Sequence, residues 1–463
     1  MVAIPQAFKD KMRGLLSPEE YEKLIASYEA PVNKGIRCNT LKCSPETMRE
    51  KVPFETEPVD WCPTGYYIDS EIRPGKNPAY YAGLYYVQEP TAMTSAEALS
   101  PEPGDWVLDL CAAPGGKTTQ LACHLGGEGL LVANELVNNR AEILASNVER
   151  MGVQNALLLN EFPERITARF YERFDKILVD APCSGEGMFR KDNGATEEWT
   201  PERVDRCAER QMKILETVDR LLKPGGVMVY STCTFSPEEN EQVIENFLQN
   251  GRYELELIEL NGLNDFGRPE WAEWQTPELV KTLHVMPFHV RGEGHYIARL
   301  RKLEACPDPE ERPALKGKGL FKKAGKKELK DYETFASAYL KKTFGNLHKL
   351  GDQLYSLPEG LTAKDIEGLK VLRPGLHLGT FRKNRFEPSH TLAMALKPEE
   401  YTQVYAVKNE DEAYAYLKGE PITGVDLKGW TLVCFDQWPL GFGKASQGMI
   451  KNHFPKGLRI MKK

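Results

Sequence analysis

Apolar residues between positions 91 and 302 fall into segments that alternate between strand-like and helix-like patterns. Short, nearly all-apolar runs predict strands at residues 105–110, 129–135, 156–160, 174–180, 226–233 and 295–303. Helical patterns fit between them at residues 117–125, 139–151, 201–222 and 237–249. Strands that are apolar on both faces are typical of a sheet covered on both sides. Alternating strands and helices therefore predict a doubly wound α/β domain with a mostly parallel sheet.

The flanking segments have different patterns. Residues 1–90 predict a small mixed domain, with helices at 9–16 and 18–28 and a strand at 35–42. Residues 303–330 are rich in Pro, Gly and Lys and predict a linker. Residues 331–463 open with a helical pattern over 332–350 and then become rich in turns with short strands.

Two local signals predict where helices of the central domain begin and end. Ser236, followed by Pro237 and then by Glu239, predicts a capping box with proline at the first helical position. The Pro-Gly-Gly triplet at 224–226 predicts the stop of a helix before the next strand.

Composition limits the class of protein. The chain has 463 residues, of which 41% are apolar, so it can bury several cores. Its apolar runs are far shorter than a membrane span, and its first residues lack the apolar stretch of a signal peptide. We therefore expect a cytoplasmic protein, and a monomer. Ten cysteines without any Cys-x-x-Cys pair predict neither a disulfide scaffold nor a metal site.

The net charge of −7 argues mildly against a nucleic-acid partner, but it hides clusters of basic residues. The clusters are Arg312, Lys316, Lys318, Lys322, Lys323, Lys326, Lys327 and Lys330 in the linker, then Arg373, Arg382, Lys383 and Arg385, and in the tail Lys451, Lys456, Arg459, Lys462 and Lys463. Such patches either hold the phosphates of a polyanion or are simply solvated surface.

A glycine-rich turn at residues 109–118 follows the first predicted strand of the central domain. Gly115 and Gly116 allow a sharp turn and close approach of a ligand, and the helix that follows offers free amides. The turn is neither a dinucleotide fingerprint nor a phosphate-binding loop. Glu135 ends the next strand, where an acid can hold a ribose diol, although a solvated strand end is the alternative. Together these features fit an adenosyl cofactor without phosphates, such as S-adenosylmethionine.

Cys183 and Cys233 each follow a predicted strand. Asp180 ends the strand before Cys183, and ligands of open α/β sheets bind at such carboxyl ends. A thiolate can add to carbon 6 of a pyrimidine, which makes carbon 5 able to accept a methyl group from a sulfonium. A second cysteine can help to remove the carbon-5 proton, and Asp180 can relieve charge at ring nitrogen 3. The hypothesis is cytosine-5 methylation, with inert buried cysteines as the alternative.

The residues alone do not assign the attacking cysteine. DNA cytosine-5 methyltransferases attack with a Pro-Cys cysteine, which would favour Cys183.

Three motifs resemble the signatures of the RNA cytosine-5 methyltransferases, the Nop/Sun group. They read Asp-Leu-Cys-Ala-Ala-Pro-Gly-Gly-Lys-Thr at 109–118, Asp-Ala-Pro-Cys-Ser-Gly-Glu-Gly at 180–187 and Ser-Thr-Cys-Thr at 231–234. The resemblance implies a Rossmann-like methyltransferase domain that uses S-adenosylmethionine. It also implies that Cys233 is the nucleophile and that Cys183 assists proton removal and product release.

The same resemblance implies which residues contact the cofactor. They are Cys111, Ala112, Ala113, Pro114, Gly115, Gly116, Lys117, Glu135 and Asp180. Lys117 would also lie beside Asp180 at the reacting centre as a catalytic residue, with a solvated helix-start lysine as the alternative. The family often carries Asn-Asp after the third strand, whereas this chain reads Asn160-Glu161-Phe162. We therefore expect Glu161 to take the place of the acid near the adenine.

Weaker matches extend the resemblance over nearly the whole chain. Residues 36–42, 86–93 and 292–298 resemble further family elements, and residues 374–379, 385–390, 440–444 and 451–459 resemble the C-terminal region of the bacterial RsmF-like branch, which is PUA-like. The implied domains are an N-terminal RNA-binding or accessory domain (1–90), a methyltransferase domain (91–302), a basic linker (303–330) and a C-terminal α+β, PUA-like RNA-binding region (331–463).

The resemblance implies 16S ribosomal RNA, or the small ribosomal subunit, as the substrate. A tRNA cytosine-5 methyltransferase and a catalytically silent RNA-binding assembly factor are the alternatives. The C-terminal resemblance argues against the first alternative, and the intact cysteine pair argues against the second.

Overall fold

The computed structural model of the chain describes residues 4–307, 315 and 321–460. The first elements are α1 (Gln6–Leu15), α2 (Pro18–Ser27), β1 (Lys34–Cys38), α3 (Pro45–Lys51), β2 (Glu57–Val59), β3 (Cys62–Ile68), α4 (Pro78–Tyr81) and β4 (Tyr85–Val87). The strands form an antiparallel sheet in the order β2–β3–β1–β4. Helix α2 begins with a capping box, in which Ser17 and Glu20 satisfy each other's backbone amides.

The central sheet follows in the chain. Its elements are α5 (Thr94–Leu99), β5 (Trp106–Asp109), α6 (Gly116–Leu125), β6 (Leu130–Asn134), α7 (Asn138–Arg150), β7 (Ala156–Leu159), α8 (Pro163–Phe170), β8 (Phe174–Asp180), α9 (Asn193–Glu198), α10 (Pro201–Asp219), β9 (Leu222–Thr232), α11 (Glu241–Leu248), β10 (Tyr253–Glu256), β11 (Asp265–Phe266), β12 (Leu283–Val285) and β13 (His295–Lys302). Strands β9, β8, β5, β6 and β7 are parallel neighbours in that order. Strand β13 lies antiparallel against β9.

Helices cover both faces of this sheet, as the apolar strands predict. Leu121 of α6 and Leu144 of α7 are fully buried on one face, whereas Phe170 of α8 and Leu215 of α10 are fully buried on the other. Each such side chain contributes about 1.5–3 kcal/mol through the area that it removes from water. The prediction of a doubly wound, Rossmann-like domain is confirmed.

Two further sheets lie towards the C-terminus. The elements are β14 (Lys322–Lys323), α12 (Lys326–Tyr339), β15 (Leu347–Leu350), β16 (Gln353–Ser356), β17 (Val371–Arg373), β18 (Leu376–Arg382), β19 (Arg385–Pro388), α13 (His390–Ala395), β20 (Val404–Ala406), α14 (Glu410–Lys418), β21 (Ile422–Thr423), β22 (Gly429–Phe435), β23 (Trp438–Ser446) and β24 (Met449–Asn452). The sheets have the orders β14–β15–β16–β18–β19 and β20–β22–β23–β24–β21. Strand β17 instead pairs with β7 and extends the central sheet.

The helix predicted over residues 332–350 is wrong beyond Tyr339. Asn346 adopts a left-handed conformation, and its side-chain amide donates to the carbonyl of Leu361 at 2.9 Å. This turn directs residues 347–350 into a strand. The predicted linker is likewise ordered from Lys322 onward, because β14 and α12 begin inside it. Residues 308–314 and 316–320 of that linker, with their basic residues, lie outside the described residues, as do Lys462 and Lys463.

Two predictions of helix boundaries in the central domain are also wrong. The Ser236 hydroxyl donates to the Glu186 carboxylate instead of capping a helix. A short 3-10 turn follows Ser236, and α11 begins only at Glu241. Helix α10 ends three residues earlier than predicted, because Leu222 already pairs with Phe174 as the first residue of β9.

None of the helices in residues 4–307 and 321–460 is both long enough and apolar enough to cross a bilayer.

Candidate active site

The carboxyl ends of three parallel strands bring the sequence motifs into one crevice. Asp109 ends β5, Asp180 ends β8 and Cys233 follows β9. Strand β8 lies between β5 and β9, so the three ends are neighbours at one edge of the sheet. This edge is where open α/β sheets bind ligands.

The two predicted cysteines are in direct contact. Their Sγ atoms lie 3.3 Å apart, and both are partly exposed free thiols. The hydrogen bond with Cys233 and then burial raise the pKa of the Cys183 thiol well above its usual value. The Cys183 thiol is therefore protonated near neutral pH.

The loop after Cys183 holds the backbone of Cys233 in place. The amide of Gly187 donates to the Cys233 carbonyl at 2.9 Å. A Cβ atom at residue 187 would lie 2.9 Å from the Glu293 carbonyl oxygen and 3.1 Å from that of Cys233, so only glycine fits there. The Glu186 carboxylate, which is fully buried, accepts hydrogen bonds from the Phe235 amide at 2.8 Å and from Ser236.

Lys117 and Asp180 form an ion pair beside the cysteines. Lys117 Nζ lies 2.7 Å from Asp180 Oδ2, and the Ser231 hydroxyl donates to Asp180 Oδ1 at 3.0 Å. Burial alone would raise the pKa of Asp180, but Lys117 and the hydrogen bonds outweigh it and hold that pKa below its usual value. Burial would likewise lower the pKa of Lys117, but Asp180 raises it. Both groups are therefore charged near neutral pH.

The glycine-rich turn lies against a buried acid. Gly115 has a φ of 109°, in the region that side chains of L-residues avoid. Thr118 donates to Asp109 Oδ2 at 2.6 Å, whereas the buried Asp109 Oδ1 has no hydrogen-bond partner within the described chain. Burial raises the pKa of Asp109 to about 7 and, together with Asp109 and Asp180, raises that of Cys111 above its usual range. The residues from Cys111 to Lys117 thus lie beside acidic groups that would favour a cationic ligand.

Glu135 lies at the end of β6 next to this turn. Its side chain is almost fully buried and accepts from the Val137 amide at 2.9 Å, while Arg140 Nη1 lies 3.5 Å from its other oxygen. Arg140 also donates to the carbonyl of Ala113 in the turn at 2.9 Å. The predicted contact of Glu135 with a ribose stays a prediction.

The structure gives Glu161 protein partners on both carboxylate oxygens. Oε1 accepts from the Phe162 amide at 2.9 Å and lies 3.0 Å from Arg165 Nε. Oε2 accepts from the amide of Lys370 at 3.0 Å, on the approach to β17. A contact with adenine, which stays a prediction, would have to compete with these partners.

Two exposed apolar side chains after β6, Leu136 and Val137, were not singled out in the sequence, whereas Phe162 after β7 was named there beside Glu161. Leu136, Val137 and Phe162 are 48%, 47% and 57% exposed. They flank Glu135 and Glu161 and offer an apolar surface of the kind that covers an aromatic base. The signal in the sequence was the presence of apolar residues directly after a strand end, where a solvated turn is usually polar.

The N-terminal segment at 36–42 supports the glycine-rich turn from behind. Arg37 is fully buried and donates to the Gly116 carbonyl at 2.7 Å and to the Thr119 hydroxyl at 2.9 Å. Asn39 donates to the carbonyls of Gly83 and Met151. This segment therefore fixes the start of α6.

Among the described residues, no group of three or more His, Cys, Asp or Glu side chains is arranged to hold a metal ion.

Four protein-family models match successive parts of the chain. They are 16S rRNA methyltransferase RsmB/F at residues 96–301, the N-terminal domain of 16S rRNA methyltransferase RsmF at 4–90, the RsmF first C-terminal domain at 334–396 and the methyltransferase RsmF PUA domain at 408–460.

Relatives match along nearly the full length. Ribosomal RNA small subunit methyltransferase F of Vibrio campbellii is 34% identical over 99% of this chain and 98% of its own length. Its counterpart in Shewanella oneidensis is 34% identical over 94% of this chain and 93% of its own length.

Solved structures match about two thirds of the chain. A methyltransferase homolog from Pyrococcus horikoshii superposes with a TM-score of 0.58 at 32% identity, covering 65% of this chain and 96% of its own. NSun6 from the same organism, solved with SFG, has a TM-score of 0.57 at 23% identity, covers 65% of this chain and 99% of its own, and supports the fold alone.

Proposed function

The chain belongs to the 16S rRNA methyltransferase RsmB/F family, in its RsmF branch, and from this premise we propose that it methylates carbon 5 of a cytosine in small-subunit ribosomal RNA. Its cofactor is S-adenosylmethionine, which supplies an electrophilic methyl group when bound. The observation that carries the proposal is the contact of the Cys183 and Cys233 sulfurs at 3.3 Å, in the crevice that also holds the Lys117–Asp180 pair. The predicted cofactor residues at 111–117, with Glu135, border the same crevice.

Cys233 is the nucleophile of the proposed reaction. Its sulfur bonds to carbon 6 of the cytosine, and the electron pair of the 5,6 double bond moves to carbon 5. Negative charge that develops at ring nitrogen 3 is balanced by a proton from the Lys117–Asp180 pair. Cys183 suits the attacking role less well, because its raised pKa keeps it protonated.

Cys183 acquires its role after the attack. The hydrogen bond and the charge of Cys233 are two of the three main causes that raise the pKa of Cys183. Once the sulfur of Cys233 is bonded to carbon, it carries no negative charge, so the pKa of Cys183 falls. Carbon 5 takes the methyl group that the bound cofactor would supply, and Cys183, after releasing its own proton to solvent, takes the proton from carbon 5. The electron pair of that C–H bond re-forms the 5,6 double bond and expels the sulfur of Cys233 as a thiolate, while ring nitrogen 3 returns its proton to the Lys117–Asp180 pair.

The target base must leave any stack before it enters the crevice. The hairpin between β18 and β19 exposes Arg382, Lys383 and Arg385, where phosphates can be held without reading sequence. Arg382 and Arg385 contact Glu387 but remain exposed, whereas Arg373, which the sequence groups with them, pairs with Glu149 at 2.8 Å and is largely buried. We therefore assign phosphate contacts to the hairpin and not to Arg373.

The test is transfer of labelled methyl groups to naked 16S rRNA, to small subunits and to tRNA in parallel, followed by mapping of the labelled base. We expect label on carbon 5 of cytosine in one of the ribosomal substrates, no turnover by Cys233→Ala and normal turnover by Cys306→Ala. Label on another atom, or undiminished turnover by Cys233→Ala, would refute the proposal. Label on tRNA alone would support the tRNA alternative.

A further inference from the structure

His295 lies at the edge of the crevice, beside the nucleophile. It is the first residue of β13, where Tyr296 is opposite Thr232 and Ile297 is opposite Ser231 of β9. The register therefore carries His295 towards Cys233, the residue after Thr232. Alternate residues of a strand share a face, so His295 lies on the same face as Ile297 and Ser231. Asp180 lies on that face too, because it pairs with Ser231 and accepts its hydroxyl hydrogen bond.

A hydrogen-bonded chain of side chains fixes the tautomer of His295. Glu89 Oε2 accepts from the Thr91 hydroxyl at 2.6 Å and from the Ala92 amide at 2.8 Å. Burial alone would raise the pKa of Glu89, but Lys191 and these hydrogen bonds hold it below its usual value, so the carboxylate is ionised and only accepts. The single hydroxyl proton of Thr91 is thus donated to Glu89.

The Thr91 hydroxyl oxygen also accepts from the Gly294 amide at 3.3 Å, and its contact with His295 then has one possible polarity. Thr91 Oγ1 lies 3.0 Å from His295 Nδ1, and without a second proton it can only accept from that nitrogen. Nδ1 therefore carries the ring proton, and Nε2 of the neutral ring is a hydrogen-bond acceptor. No group within the described residues is hydrogen-bonded to Nε2.

The surroundings keep this ring neutral. Burial and then the positive charge of Lys117 lower the pKa of His295 to about 4, with Lys191 acting in the same direction and Glu89 and Asp180 opposing. A neutral ring with so low a pKa is a poor base at neutral pH, but it remains a good acceptor. His295 is 4% exposed, so little solvent can compete for Nε2.

We propose that Nε2 of His295 accepts a hydrogen bond from the exocyclic amino group of the target cytosine and so distinguishes cytosine from uracil. The inference rests on the proposed function. Ring nitrogen 3 and the 4-amino group are adjacent on cytosine, and Asp180 and His295 lie on one face of the sheet at the same end. Uracil presents a carbonyl oxygen at position 4, which an acceptor repels. A buried acceptor left unpaired therefore discriminates against the wrong base.

The experiment is a double-mutant cycle that varies the side chain at position 295 and the target base of the RNA. An RNA that contains the mapped target is made with cytosine, with 2-pyrimidinone, which lacks the amino group, or with uracil at that position. The enzymes are the wild type, His295→Phe and, as a matched control, His377→Phe, a histidine stacked on Tyr355 away from the crevice. The intrinsic reactivity of each base cancels, because the same substrates are compared across enzymes.

Removal of the amino group should lower kcat/KM of the wild type and of His377→Phe. We expect that decrease to be at least about tenfold larger than the decrease in kcat/KM of His295→Phe. His295→Phe should also lose its preference for cytosine over uracil. If the effects of base and side chain simply multiply, the inference is wrong. His295→Gln, which keeps an acceptor, should restore part of the preference. Recovery of turnover by His295→Gln without recovery of the preference would equally overturn the inference.

Folding of each variant is checked by thermal melting and by calorimetry with S-adenosylmethionine. If His295→Phe does not fold, His295→Gln against the three bases carries the test. The two levels of the argument remain separate. Label that maps to an atom other than carbon 5 of cytosine defeats the proposed function, whereas label on carbon 5 without coupling between His295 and the amino group defeats this inference alone.

Discussion

The sulfur atoms of Cys183 and Cys233 lie 3.3 Å apart as two free thiols. At this distance Cys233 affects the protonation of Cys183, whose pKa the hydrogen bond with Cys233 raises. We expect the variants that replace Cys183 and Cys233 to differ in activity and in the covalent species that they form.

Cys183→Ala should trap a covalent complex between the enzyme and its RNA. Cys233 can still attack the base, but the carbon-5 proton is no longer removed and the sulfur–carbon bond persists. The complex should survive denaturing electrophoresis and carry labelled methyl groups.

The double variant Cys183→Ala, Cys233→Ala and the single variant Cys306→Ala serve as controls, and neither should form the complex. Normal turnover of Cys183→Ala without any trapped species would show that Cys183 has only a structural role.

Glu135→Ala should weaken the binding of S-adenosylmethionine by about 1–3 kcal/mol, which is the cost of losing hydrogen bonds to a charged group. Isothermal calorimetry measures the change. Glu128→Ala is the matched control, because Glu128 lies exposed just before the opposite end of the same strand, β6. Equal affinity of both variants and the wild type would remove Glu135 from the ribose contact.

Binding of the cationic cofactor should release a proton near neutral pH. The pKa of Asp109 is raised to about 7, mainly by burial, so below this pH its carboxyl is neutral. A positive ligand favours the ionised form, so affinity should fall as the pH drops from 8 to 6, by at most about tenfold per pH unit.

Calorimetry in two buffers of different ionisation heat counts the released protons. Asp109→Asn should abolish this proton release. Burial and Glu186 also raise the pKa of Glu239 to about 7, and Glu239 is unchanged in this variant, so it serves as an internal control. If Asp109→Asn releases as many protons as the wild type, Asp109 is not the titrating group.

Phe8→Ala should destabilise the protein by about 3–5 kcal/mol, as expected for a large buried ring. Phe8 is fully buried and packs edge-on against Phe189 at 5.2 Å and Trp199 at 5.7 Å. Because both partners follow the Cys183 loop, methyl transfer should also slow. Chemical denaturation checks the first effect, with Phe162→Ala, at an exposed position, changing the midpoint little. Equal midpoints for the two variants would contradict this packing argument.

The sequence predicts most accurately the positions of residues at the carboxyl ends of the parallel strands. Asp180, Cys183 and Cys233 come together as expected, because parallel strands place their carboxyl ends at one edge. Glu161 could not be treated in the same way. Its partner Lys370 is 209 residues distant in sequence, and no local pattern encodes that contact.

The errors at Ser236 and beyond Tyr339 have the same origin. Ser236 fits the local sequence pattern of a helix cap, but its hydroxyl donates a hydrogen bond to the buried Glu186 carboxylate. The residues after Tyr339 keep a helical spacing until Asn346 turns the chain. In both places a tertiary contact outweighs the local preference, which is small in energy.

Strand β17 joins residues 371–373 to the outer edge of β7. A ribosome that synthesises this chain must therefore translate far past β13 before the sheet acquires its last member. Until then β7 presents an unpaired backbone, which other nascent chains can join. Removal of residues 371–373 would therefore leave one edge of β7 without its strand partner.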